Sequence, residues 1–246
     1  MLIAVIPARG NSQGVKKKNI KKIGDKPLID WALDYGFQAS IVDFVLLSTD
    51  DEEIVRSSRL FSSSAQRFLS LEEGEIDKVG ERLLLHKRRE EHATADSKTI
   101  DTILDITRKL KLSGEDQIVL LQATSPFRST SELLEIYSIF EKEKPDSIIS
   151  ARLFDSPHPG KSIQLQKDKL IYDEKTVKNL SAPRQSLPQY YVFDGGFYFS
   201  TVRSLEKFNS FIARNTIIFK REGTSTINID NDLDFEIAAS LYTKYV

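Results

Sequence analysis

LIAVIP at residues 2–7 runs straight into ARGNSQGVKKKN at residues 8–19. Five apolar side chains, three of them β-branched, ended by Pro7, predict a strand buried on both faces. The polar segment behind it carries two glycines, one arginine and three adjacent lysines. Glycine lets backbone amides approach an anion and cations offset its charge, so this loop suits a triphosphate. A solvated basic loop fits the same composition. Neither GxxxxGK[ST] nor GxGxxG is present, which sets the loop apart from the two common phosphate-binding forms. Three consecutive lysines cannot all face one ligand, so at least one faces solvent.

Outward from this stretch, Pro27 and Leu28 open an amphipathic helix through Trp31, Ala32, Tyr35 and Ala39. Residues 43–49 form a second strand ending in the acidic cluster 50–53, with a helix predicted from 52 to about 61. Residues 62–82 carry no clear period. A helical period returns at 97–112 (Ile100, Ile103, Leu104, Ile106, Leu110), and QIVLLQ at 117–122 is the strongest strand signal of the chain. Residues 129–143 read as a helix, N-capped by Ser129 or Thr130 before Glu132, and 147–151 as a short strand. This alternation over the first ~150 residues predicts an α/β fold with a mostly parallel sheet and helices on both faces. Ligands of such sheets sit beyond the carboxyl ends of the strands. The polar segments 8–19, 48–51 and 122–128 fall there. From 154 to 194 the pattern changes to four prolines and short extended pieces at 161–166 and 169–172, which predicts an inserted arm or subdomain within a single domain spanning 1–246.

Composition narrows the function classes. Lys plus Arg total 35 against 36 Asp plus Glu, a net charge of -1, so no global attraction to nucleic acid or an anionic membrane is built in. The absence of cysteine excludes disulfides, thiolate metal sites and a cysteine nucleophile. No apolar run approaches the ~18 residues of a membrane span, and the N-terminal run is too short for a signal peptide, so a soluble cytoplasmic protein is expected.

Four ordered blocks carry a resemblance. Pro7-Ala8-Arg9-Gly10-x-Ser12-x-Gly14 with Lys18-Asn19, then Leu121-Gln122-Ala123-Thr124-Ser125-Pro126-Phe127-Arg128, then Pro183-Arg184-Gln185-x-Leu187-Pro188 with Asp194-Gly195-Gly196-x-Tyr198, and last Ile227-Asn228-Ile229-Asp230 followed by Asp234, resemble in order the signatures of acylneuraminate cytidylyltransferases. The spacing of Arg89 and Asp96 and the His158-Pro159-x-Lys161 element are similar to further segments of that family. The resemblance implies a Rossmann-like sheet with a small dimerisation arm, and transfer of CMP from CTP to the anomeric hydroxyl of a sialic-acid-type nonulosonic acid.

By the same resemblance Arg9 and Lys18 balance the triphosphate, and Ser12, Gly14, Asn19 and Arg89 hold the nucleotide. Gln122, Arg184 and Tyr198 face the sugar acid, Lys161 arrives from the partner chain of a homodimer, and Asp230 with Asn228 holds Mg2+. His158 is assigned no chemistry. The chain departs from the family pattern at Gln13, where lysine is usual, at Ala123, at Asp194, and at Asn228, where aspartate is usual. The loss of a cation at Gln13 and of an anion at Asn228 leaves two alternatives: an active enzyme, with Lys16 or Lys17 in place of the missing lysine and Asn228 coordinating as a neutral group, and a weakened or inactive relative that binds nucleotide or sugar acid. A CMP-Kdo synthetase, with the same chemistry on an eight-carbon acid, is a separate rival. A glycosyltransferase would carry D-x-D after a central strand, where this chain has Gln122-Ala123-Thr124.

Overall fold

Ile3 and Val5 enter the hydrophobic core on one side of the central sheet, and Leu2, Ala4 and Ile6 the core on the other. A strand covered on both faces must be apolar throughout, which is why the opening run lacks polar alternation. Each larger side chain so withdrawn from water contributes about 1.5–3 kcal/mol. The computed structural model describes residues 1–11, 14–154 and 156–242, so Ser12 and Gln13 lie outside the described residues.

In chain order the strands are β1 (Leu2–Pro7), β2 (Lys22–Ile23), β3 (Lys26–Pro27), β4 (Phe44–Thr49), β5 (Ile76–Lys78), β6 (Leu83–Lys87), β7 (Gln117–Leu120), β8 (Ser147–Leu153), β9 (Gln164–Gln166), β10 (Lys169–Ile171), β11 (Tyr191–Thr201) and β12 (Thr216–Arg221). The helices are α1 (Leu28–Gln38), α2 (Glu52–Ser57), α3 (Ala65–Ser70), α4 (Thr99–Lys109), α5 (Glu132–Glu143), α6 (Glu174–Ser181), α7 (Val202–Phe208) and α8 (Asp232–Leu241). Eight strands form one sheet in the order β12-β8-β11-β7-β1-β4-β6-β5. β1 pairs in parallel with β4 and β7, and β4 with β6. β12 is parallel to β8, while β11 runs against β7 and β8, and β5 against β6. Side chains of α1, α3 and α5 (Ile29, Phe68, Ile136) join one core, and those of α4 and α7 (Ile103, Leu205) the other. This is the mostly parallel α/β sandwich that the alternation predicts.

The parallel strands β1, β4, β6 and β7 deliver their carboxyl ends to one edge of the sheet. A third apolar cluster closes that edge from the side: Leu28, Trp31, Phe127, Ile229 and Phe235 pack together. It joins the start of α1 to α8 and so pins the residues around Asp230.

Four details differ from the sequence reading. β6 was not predicted, because a short LLL run beside a charged stretch has no period of its own. The helix expected to reach 61 ends as α2 at Ser57, since the buried Asp30 carboxylate accepts the Arg59 N–H at 3.0 Å and draws the chain out of the helix. The N-cap position of α5 is Ser131 and not Ser129 or Thr130, and its side chain makes no cap bond; instead Glu132 accepts the Ser129 N–H at 2.7 Å. The expected end of the arm at 194 falls inside β11, whose residues 191–193 pair with β8 before a register shift between Phe193 and Tyr198. Between β8 and β11, β9 and β10 form a two-stranded hairpin followed by α6, with Ile163, Leu165, Leu170, Tyr172 and Val177 exposed. Among the described residues no helix is long and apolar enough to cross a membrane.

Candidate functional site

A cleft of about 400 Å³ opens at the carboxyl ends of the parallel strands, lined among others by Arg9, Gly14, Lys18, Asn19, Gln122, Asn228 and Asp230. The first and the last of these are more than 200 residues apart in the sequence. The Lys18 ammonium donates to the Ile229 carbonyl at 2.8 Å, and an added Cβ on Gly14 would lie 1.9 Å from the Asp230 carbonyl oxygen. Gly14 is therefore a close-packing glycine, where backbone meets backbone. Asn19 is buried and donates to the Arg9 carbonyl at 2.9 Å, which braces the loop from within. Arg9 donates to the Thr94 carbonyl at 2.7 Å.

Lys18 is half-buried, and burial lowers its pKa, opposed by Asp230 and assisted by Arg9. Burial penalises the charged form, and the nearby carboxylate offsets part of that penalty. Asn228 and Asp230 face the cleft while Ile229 between them is fully buried, the two-residue alternation of an extended segment. The Ile229 N–H donates to the Thr124 carbonyl at 2.8 Å, which ties this segment to the end of β7. Asp234 does not face the cleft. Its carboxylate accepts from the Asp230 and Asn231 N–H groups and completes a capping box on α8.

The fit to a hard cation can be judged on these residues. Asn228 donates its amide to the Asp230 carboxylate at 2.8 Å, and its Oδ1 is buried without a hydrogen-bond partner. A buried acceptor beside a carboxylate suits a cation, and Mg2+ takes one or two protein ligands while substrate phosphates and water supply the rest. No group of three His, Cys, Asp or Glu side chains that could hold a metal occurs among the described residues. The residues present therefore fit a cation that arrives with a phosphate better than a permanently caged one.

Behind the cleft lies a buried polar knot. Gly195 has a φ of +71°, and a Cβ there would meet Gln122 Oε1 at 2.6 Å and Asn228 Oδ1 at 3.1 Å. Arg128, with its pKa lowered to about 9 chiefly by burial, donates to the carbonyls of Gln122 (2.8 Å) and Gly196 (3.0 Å). Asp194 is fully buried and pairs with Arg221 at 3.0 Å, and Arg221 also pairs with Glu132 at 2.7 Å. The departure from the family pattern at Asp194 thus lands in an ion-paired support and not in the wall of the cleft.

Other expected site residues lie apart from it. Arg89 does not line the cleft: its Nε faces Asp105 at 3.4 Å and its guanidinium packs on Gly74. Arg88 lines it instead, because strand alternation continues one residue past β6 and turns Arg88 to the side of His86. Tyr198 packs at the edge of the core against Phe193 and Phe211, and burial pushes its hydroxyl up to about 12. Lys161 donates to the Leu180 and Ala182 carbonyls at the end of α6. Arg184 lines a separate recess of about 280 Å³ with Phe154, His158 and Tyr190. His158 accepts from the Gly160 N–H at Nδ1 and meets the Pro188 carbonyl at Nε2, a structural role. Lys17 is engaged with Glu53 at 2.6 Å, and both it and Lys16 are exposed. His92, Ser97, Thr99 and Thr102 also line the cleft, and no motif pointed to them.

His86 is fully buried, and burial, with Arg88, lowers its pKa to about 4 from 6.5. The unfolded chain therefore binds a proton that the native chain refuses between those values, and stability falls as pH drops through that window. The expected loss is about 2 kcal/mol between pH 7 and pH 5 and about 3 kcal/mol by pH 4. Urea unfolding at pH 7 and 5 checks it: His86→Leu should flatten this part of the slope, and an unchanged slope would assign it to other groups.

The cleft and its triphosphate-suited loop lie at the switch point of this sheet, where α/β folds place their ligands. A family model described as cytidylyltransferase matches residues 3–84. Over 98% of this chain and 94% of its own length, the post-translational flagellin modification protein B of Campylobacter coli is 26% identical. A pseudaminic acid cytidylyltransferase of Campylobacter jejuni is 25% identical over 98% of this chain and 95% of its own. An N-acylneuraminate cytidylyltransferase of Escherichia coli is 24% identical over 99% of this chain and 52% of its own. Among solved structures, a CMP-2-keto-3-deoxy-manno-octonic acid synthetase complexed with CTP has a TM-score of 0.62 over 100% of this chain and 99% of its own, at 15% identity, a likeness of fold. Over nearly its whole length the chain is similar to acylneuraminate cytidylyltransferases, and its activity is that of a cytidylyltransferase.

Proposed function

We propose that this enzyme acts in the cytoplasm and transfers CMP from CTP to the anomeric hydroxyl of a sialic-acid-type nonulosonic acid. The anomeric oxygen attacks the α-phosphorus in line, the α–β phosphoanhydride bond breaks, and pyrophosphate leaves while the hydroxyl proton passes to solvent. The observation that carries this reading is the meeting of Arg9, Lys18 and Asp230 in one cleft at the end of β1. Arg9 and Lys18 offset triphosphate charge, Gly14 and Asn19 hold the loop that receives it, and Gln122 offers its amide to sugar hydroxyls. Asp230 and the Asn228 Oδ1 would hold Mg2+, which when bound neutralises phosphate charge and polarises the phosphoryl oxygens. The near full-length match to a pseudaminic acid enzyme supports a nine-carbon acid over an eight-carbon one.

We further infer a homodimer through the arm. The exposed Ile163, Leu165, Leu170 and Tyr172 are an apolar surface suited to a second copy. That copy would bring its Lys161 and Arg184 toward the sugar acid's carboxylate, with Lys161 exchanging its carbonyl partners for that anion.

Pyrophosphate release with CTP, Mg2+ and a panel of nonulosonic acids and Kdo tests the reading. Turnover confined to Kdo would select the eight-carbon alternative, and silence with intact CTP binding would select the weakened relative. Asn228→Asp should tighten the half-saturating Mg2+ concentration by about 3–10-fold through the added charge. An unchanged value would put the cation away from residue 228.

A further inference from the structure

We infer that Arg88 is the nucleotide-contacting arginine supplied by the end of β6, and that His86 is a positioning residue acting on it through the Ser48 hydroxyl. The inference rests on the cleft being the CTP site. It differs from the expectation for Arg89, whose side chain is engaged with Asp105 and Gly74.

The geometry is a buried relay. Ser48 on β4 and His86 on β6 are register partners, and Arg88 extends the pairing by donating its N–H to the Thr49 carbonyl at 2.8 Å. Arg88 Nε donates to Ser48 Oγ at 3.2 Å, and one terminal nitrogen donates to the Ser48 carbonyl at 2.8 Å. A guanidinium only donates, so the Ser48 hydroxyl is free to give its own hydrogen away. It gives it to His86 Nδ1, 2.9 Å distant. The ring proton then sits on Nε2, on the side of Asp105 Oδ2 at 3.8 Å. One edge of the guanidinium is thereby fastened, and the remaining terminal nitrogen, Nη1, is the donor left for a ligand in the cleft.

Neutral His86 is the part that makes this work. A protonated ring would donate at Nδ1 where the neutral ring accepts, take away the acceptor of the Ser48 hydroxyl hydrogen and set a second cation beside Arg88. Burial, with Arg88 close by, keeps the ring neutral, its pKa lowered to about 4. Arg88 is only 6% exposed, so its side chain is held in place before any ligand arrives. An arginine fixed in advance loses little freedom on binding an acceptor.

The test is CTP binding by titration calorimetry in the absence of any sugar acid, which keeps it independent of the second substrate. Arg88→Met should weaken CTP by about tenfold or more, the worth of a charge-assisted hydrogen bond in a desolvated site, and Arg89→Met should have the smaller effect. His86→Leu should weaken CTP by about 3–10-fold, and His86→Asn, whose side-chain oxygen restores an acceptor for Ser48, should recover most of the loss. Thermal melts of each variant separate misfolding from lost contact. Nitrogen NMR of His86 in the wild type gives a measurement that needs no variant: an Nε2–H tautomer at pH 7 is expected, and an Nδ1–H tautomer or an imidazolium overturns the relay. Arg9→Ala is the control. If it weakens CTP while folded Arg88→Met does not, the inference falls and the cleft remains the nucleotide site. If neither weakens CTP, both fall.

Discussion

Asp230→Ala should lower kcat/KM for pyrophosphate release by about 10²–10³-fold, the scale of removing one preorganised electrostatic group from a reacting phosphate. Two effects of one carboxylate combine here. Asp230 is the acidic side chain among those lining the cleft, so a cation bound there loses its protein anion. Asp230 also opposes the lowering of the Lys18 pKa, and without it Lys18 gives up its proton at a lower pH. The sign follows directly. Removing the group that raises the Lys18 pKa moves the alkaline limb of the pH–rate profile to lower pH. Raising Mg2+ should recover part of the loss by mass action, and the displaced limb should persist at saturating metal. Activity within about threefold of wild type would put the reacting phosphates elsewhere.

Arg221→Met should have the largest effect on stability, about 3–5 kcal/mol, because it leaves the fully buried Asp194 carboxylate without its cation. Arg221 also holds Glu132 at 2.7 Å, the Phe127 carbonyl at 2.9 Å and the Ser225 carbonyl at 3.1 Å. One guanidinium therefore fastens β11, the start of α5, the loop after β7 and the segment after β12. For a chain of this size such a loss lowers Tm by roughly 10 °C. Asp194→Asn in the Arg221→Met background should recover part of it, since the stranded charge is then gone. Removal of Arg203, whose pairing with Glu115 is largely exposed, should leave the melt unchanged. An equal loss from both substitutions would mean that the buried pair carries no special weight.

The sheet was legible where a strand is buried on both sides and long enough to show it. Residues 2–7 and 118–121 carry an unbroken apolar run, and 99–109 a 3.6-residue period, because local sequence and global burial agree there. β6 was not legible, since Leu83, Leu84 and Leu85 suit a helix as well as a strand and its identity comes from pairing with β4. The end of α2 was hidden because the group that stops it, Asp30, sits 29 residues away from Arg59. At the site, the loop glycines and the alternation of Asn228 and Asp230 were readable because each depends on chemistry local to the motif. The choice between Arg88 and Arg89 was not, as it turns on which face of β6 continues past its last residue. Tyr198 was misplaced for the same kind of reason: a tyrosine in a motif reads as polar until its ring is seen packed on Phe211.

The bond from Lys18 to the Ile229 carbonyl joins residues 211 apart in the chain. Two side chains of the cleft, Asn228 and Asp230, thus come from a segment made long after β1. A nascent chain that stops short of Asn228 can lay down β1, β4, β6 and β7 and still lack any carboxylate to oppose the lysine. Contacts closed over so long a loop come late in folding. The cleft should therefore close late in folding, after the parallel strands that carry it have paired.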